Sequence, residues 1–171
     1  MHETYTTAGF VLKARPYKED SVEAVIFTET LGKVRVIAQA AKRAGATFAA
    51  CTEPGTYGMY AFIKGRYSWR LTGRHDLIQY TYLLEGKRKK VYLKALSLLA
   101  RLLPEHEAQP KVYAKLKELV ERKEENNFER EEAEMAFEIL CALGYADKNT
   151  DTKDTKSLIL EVNKGIFAAG L

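Results

Sequence analysis

An α+β fold, a small antiparallel β-barrel followed by an all-helical domain, is predicted by three features of this 171-residue sequence. Short β-branched runs punctuated by Gly and Pro fill its first half. From Gly86 onward the apolar period becomes that of helices. Charge divides along the same line: residues 1–90 carry 15 Lys/Arg against 8 Asp/Glu (+7), whereas residues 91–171 carry 12 against 15 (−3). The expected domains are residues 1–80, the barrel, and residues 81–171, the helices, which begin near Gly86.

The strands follow in order. Ala8–Lys13 leads into the turn Arg15-Pro16-Tyr17-Lys18-Glu19-Asp20-Ser21, and Ala24–Thr28 follows. Leu31-Gly32-Lys33 is a hairpin turn, because Gly accepts positive φ without steric cost. In the next strand Val34, Val36 and Ala38 alternate with Lys33, Arg35 and Ile37, so one side suits a core and the other carries two cations. Ala40–Pro54 is a loop with one helical turn in its Ala-rich part. Thr56–Lys64 is a fourth strand, and Gly65 turns it into a fifth from Arg66 to Gln79. Five short strands in a basic meander suit an oligonucleotide-binding (OB) type of barrel.

In the second half, Val91, Ala95, Leu98, Leu99 and Leu102 line a helix that Pro104 ends. Pro110 opens a second, with Val112, Leu116, Leu119 and Val120 inward. Asn127 caps a third, striped by Ala133, Ala136, Phe137 and Leu140 and closed by Gly144 with Tyr145 after the cap. Asn149–Lys156 is a polar loop, and Leu158, Ile159, Val162 and Ile166 mark a last helix.

Hydrophobic content of 46% with 29% charged residues is that of a globular protein. No apolar run approaches the ~18 residues of a membrane helix, and with Glu3 and no apolar segment at the start no signal peptide is expected. A cytoplasmic protein without membrane contact is expected. Cys51 and Cys141 stand apart, as do His2, His75 and His106, so no zinc module or disulfide is expected. There is no Gly-rich phosphate loop and no nucleophile with a histidine partner, so neither an enzyme nor a cofactor is expected.

The cationic front half suits a polyanionic ligand. Its candidate contacts are Arg15 in the first turn, Lys33 and Arg35 on the third strand, Lys42 and Arg43 in the loop, and Lys64, Arg66, Arg70 and Arg74 along the fourth and fifth strands. If Arg66, Arg70 and Arg74 share a strand face, each stands roughly 13 Å from the next at ~3.3 Å per residue. Tyr17, Tyr60, Tyr67 and Trp69 are available for base stacking. The alternation sets Tyr67 and Trp69 opposite the arginines, where Trp69 reads as core. Lys87-Arg88-Lys89-Lys90 heads a helix, a place that disfavours cations unless an anion is near. The acidic stretch Glu118–Glu134 reads as a solvated face.

The order of residues in the first half, Gly9-Phe10-Val11-Leu12-Lys13, Arg15-Pro16-Tyr17, a strand ending Phe27-Thr28, Gly32-Lys33 and the loop Ala40-Ala41-Lys42-Arg43-Ala44-Gly45, resembles the opening of the RecO family of recombination mediators. Leu102-Leu103-Pro104-Glu105, with Glu107 and Pro110, resembles a turn of that family's helical domain, and Leu140–Tyr145 its Leu-Gly-Tyr helix end. Where typical members carry a cysteine-rich zinc segment, this chain has the loop Asn149–Lys156. The resemblance implies binding of single-stranded DNA, annealing of complementary strands and loading of RecA in place of the single-strand binding protein, with RecR as partner. An RNA-binding OB protein and a protein-interaction scaffold remain alternatives from the residues themselves.

Overall fold

A computed structural model describes residues 3–42, 48–121, 128–150 and 152–170. Five strands, β1 (Thr4–Tyr17), β2 (Ser21–Thr28), β3 (Gly32–Ala38), β4 (Thr56–Lys64) and β5 (Trp69–Gln79), close into a barrel in the order β1-β2-β3-β5-β4. All neighbours are antiparallel except β3 and β5. β1 is long enough to serve two partners. Its first half pairs with β4, its second half with β2, and a register shift between Val11 and Lys13 bends it around the barrel.

Alternation then fills the interior. Val11, Ala24, Ile26, Val34, Val36, Tyr60, Phe62, Trp69 and Leu71 point inward, and Cys51, in a 3-10 turn at Ala50–Thr52, closes one end. Burial pushes the Cys51 thiol up to about 11, which suits a packed, unreactive side chain. The hairpin turn forms where expected, with Gly32 at φ 68°.

After a short α1 (Tyr80–Leu83) come α2 (Gly86–Leu102), α3 (Pro110–Glu121), α4 (Phe128–Ala142) and α5 (Thr155–Ala168). The α4 terminus has the Schellman pattern: Gly144 lies at φ 81°, and Tyr145 N donates to Leu140 O and Gly144 N to Cys141 O. The expected cap Asn127 lies outside the described residues. The polar loop is shorter than expected because Asp154 caps α5, accepting from Ser157 N at 2.6 Å.

The helices cover one outer flank of the barrel. Phe10, Leu12, Val25 and Phe27, outward on β1 and β2, share a core with Tyr92, Leu96, Leu99, Tyr113 and Leu116. Tyr113 makes edge contacts with Phe10 and Phe27 at 5.6 and 5.4 Å, and Tyr92 Oη donates to Gly55 O. The α2–α3 connection forms a clasp. Glu105 bridges to Lys33 beside the short β3–β5 pairing, and His106 N donates to Lys33 O at 3.0 Å. Trp69 Nε1 donates to His106 Nδ1 at 3.4 Å. No helix among the described residues is long and apolar enough to cross a membrane.

Candidate nucleic-acid interface

Backbone register brings positions from four strands into one lateral row. Arg70 of β5 pairs with Ile37 of β3, Ile37 with Glu23 of β2, and Glu23 with Arg15 of β1. Opposed residues project to the same side of a sheet. Here that side is the outside, since the alternate positions Val36 and Ala24 lie in the barrel core. Arg35 lies diagonal to Glu23 and joins the row.

The Glu23 carboxylate accepts from Arg15 Nε and, at 3.0 Å, from Arg35 Nη1, while Arg35 Nη2 donates to Glu105 Oε1 at 3.0 Å. Glu23 is 5% exposed, Arg15 68% and Arg35 46%, so the carboxylate forms a floor under two guanidiniums at the surface. Burial pushes the Glu23 carboxyl up, but hydrogen bonds and charge from Arg15 and Arg35 outweigh it and hold the group below the usual range. Arg35 likewise lowers Glu105. Both therefore stay ionised at neutral pH, and each arginine keeps a fixed orientation.

Two loops flank the row, the same two that border the ligand face of OB barrels. In the β1–β2 loop Lys18 stands at φ 51°. Lys42 holds this loop from behind, its backbone N donating to Asp20 O and its Nζ to Lys18 O and Glu19 O at 3.2 and 3.3 Å. In the β4–β5 loop, Gly65 N donates to Ser68 O and Tyr67 is 86% exposed, with the Arg66 guanidinium 5.2 Å from its ring centroid.

Several sequence expectations need revision. The fifth strand begins at Trp69, not Arg66, because residues 66–68 form a bend. Arg66 therefore lies off the strand, and a register shift at Thr72 sets Arg70 opposite Ile63 but Arg74 opposite the core residue Tyr60, so the three arginines do not share a face. Tyr67 is in solvent where alternation placed it inward. Lys33 does not lie on open surface: it is 9% exposed beneath α2, where Nζ donates to Ala100 O, a carbonyl in the last turn of a helix that attracts a cation. Lys42 fastens a loop. Tyr60 and Trp69 are core residues, 0% and 6% exposed, which leaves Tyr17 and Tyr67 for stacking. Lys64 sits at the end of β4 with Nζ 5.9 Å from the Trp69 ring centroid, and Arg74 is exposed on β5. Arg43 lies outside the described residues. In the Lys87–Lys90 run, Arg88 Nη2 donates to Leu119 O, so that cation serves the end of α3. Sequence reasoning gave no role to Glu23 or Glu105. The only signal for Glu23 was an acid at an outward position of a strand flanked by cationic ones.

The closed ring and its strand order define an OB-type barrel backed by helices. Residues 1–74 match the family model described as "Recombination protein O N terminal". Similar relatives are the "DNA repair protein RecO" of Clostridium perfringens (38% identical over 66 residues, 39% of this chain and 27% of the relative), that of Alkaliphilus metalliredigens (40% over 60 residues, 35% and 24%) and that of an Exiguobacterium species (30% over 84 residues, 49% and 34%). Residues 1–74 are thus similar to the N-terminal domain of RecO proteins. The matched stretch spans about a quarter to a third of these relatives' length.

Proposed function

We propose that the chain acts without chemical catalysis in DNA repair, with residues 1–80 binding single-stranded DNA and residues 81–171 forming a supporting helical domain. The observation that carries this reading is the lateral row Arg15–Glu23–Ile37–Arg70, with Arg35 beside it, flanked by exposed Tyr17 at the end of β1 and Tyr67 in the β4–β5 loop. Guanidiniums meet phosphates as planar forks, and exposed aromatics stack on bases whatever their sequence. Annealing of complementary strands, assistance to RecA against the single-strand binding protein, and cooperation with RecR follow in the proposal from the likeness to RecO proteins. A cationic face that aligns a strand with its bases splayed lowers the repulsion between two strands that pair.

Fluorescence anisotropy with a labelled single-stranded oligonucleotide tests the reading. Three phosphate contacts, from Arg15, Arg66 and Arg70, give a slope of log affinity against log salt of roughly −2, at about −0.7 per contact. Replacing Arg66 and Arg70 together by Ala flattens the slope by about 1.4 with little loss of sequence preference. Preference for RNA in competition points to RNA handling instead, and salt-independent or absent binding rejects the nucleic-acid reading.

A further inference from the structure

We infer that Glu105 is a tethered competitor for phosphate at Arg35 and so sets the affinity of the barrel face for its ligand; this rests on the nucleic-acid reading of that face. Arg35 uses its two terminal nitrogens on two carboxylates of different kinds. Glu23 is buried and shared with Arg15, a permanent part of the floor. Glu105 is 46% exposed and comes from the α2–α3 connection rather than from the barrel.

Its position is fixed by backbone and not by the ion pair. The bridge to Lys33, the His106 N to Lys33 O hydrogen bond and the Trp69–His106 contact hold the connection on β3. A carboxylate and a phosphate both present paired oxygens to a guanidinium fork. Because the Arg35 and Glu105 side chains are both at the surface, a phosphate can replace the carboxylate by a rotamer change, with the barrel unmoved. An isolated phosphate has to compete with a carboxylate held at high effective concentration. A polymer anchored at the same time on Arg15 and Arg70 meets that competition with several contacts, so Glu105 favours a chain of phosphodiesters over a mononucleotide.

The test compares Glu105→Gln with Glu107→Gln, which changes net charge equally but removes a carboxylate that accepts from Gln109 and not from Arg35. With a single-stranded oligonucleotide, E105Q should bind about threefold tighter at low salt, the range expected for releasing one exposed ion pair. Its salt slope should steepen by about 0.7, one added phosphate contact, while E107Q keeps the parent slope. Glu105→Asp, which retains charge but draws it back from Arg35, should fall between E105Q and the parent; it carries the test if E105Q folds poorly. Equal effects of E105Q and E107Q, or a parent slope for both E105Q and E105D, overturn the inference while leaving DNA binding intact. A parent chain that binds no oligonucleotide rejects the proposed function itself.

Discussion

Replacing Gly32 by Ala separates two costs that a turn glycine can carry. At φ 68° an Ala is forced into the left-handed region, at about 1–2 kcal/mol. Gly86, at φ 53° with nothing within 4 Å of an added Cβ, isolates that term. At Gly32 the Cβ would also lie 2.1 Å from Glu107 O and 2.4 Å from its carbonyl carbon. The α2–α3 connection must then move by about an ångström. That breaks the His106 N to Lys33 O hydrogen bond and lengthens the Trp69–His106 one, at about 1 kcal/mol each. G32A should therefore cost about 3–4 kcal/mol and G86A about 1–2. Thermal melting should show drops of about 10 °C and about 4 °C, at roughly 3 °C per kcal/mol for a chain of this size. Trp69 is the sole tryptophan, so its emission reports the clasp directly and should change in G32A but not in G86A. Equal melting shifts with unchanged emission would refute the idea that the turn is pressed against the connection.

Other measurements probe the electrostatics. Glu23 and Glu105 have carboxyls held below the ordinary 4.5, so their stabilisation is complete above that pH and is lost as pH falls through the depressed values. Glu23→Gln should be less stable than the parent at neutral pH, with the gap narrowing in acid; denaturant titrations at several pH values check this, and a constant gap refutes it. Arg88→Glu should cost about 2 kcal/mol, because it removes a charged hydrogen bond to the last turn of α3 and places an anion there. Lys90→Glu, at an exposed position of the same run, should leave the melting temperature almost unchanged.

Local chemistry determined much of this protein from its sequence. Alternation in Val34–Ala38, the Gly32 turn, the bounds of β4, Pro110 at the start of α3 and the Gly144 cap are each set by residues a few positions apart. A period or a turn residue reveals such features directly. The early strands together with the Gly-Lys turn also carried the family resemblance. Only the tertiary structure decided which cations meet solvent. Lys33 and Arg35 are equivalent in the strand pattern, yet one lies under α2 and the other at the surface between Glu23 and Glu105. Glu105 reaches Arg35 across 70 residues of sequence, and the row from Arg15 to Arg70 exists only once the barrel closes in its particular register. Burial and ion pairing depend on which chain segments fold over one another, and a strand's own period carries no record of what will cover it.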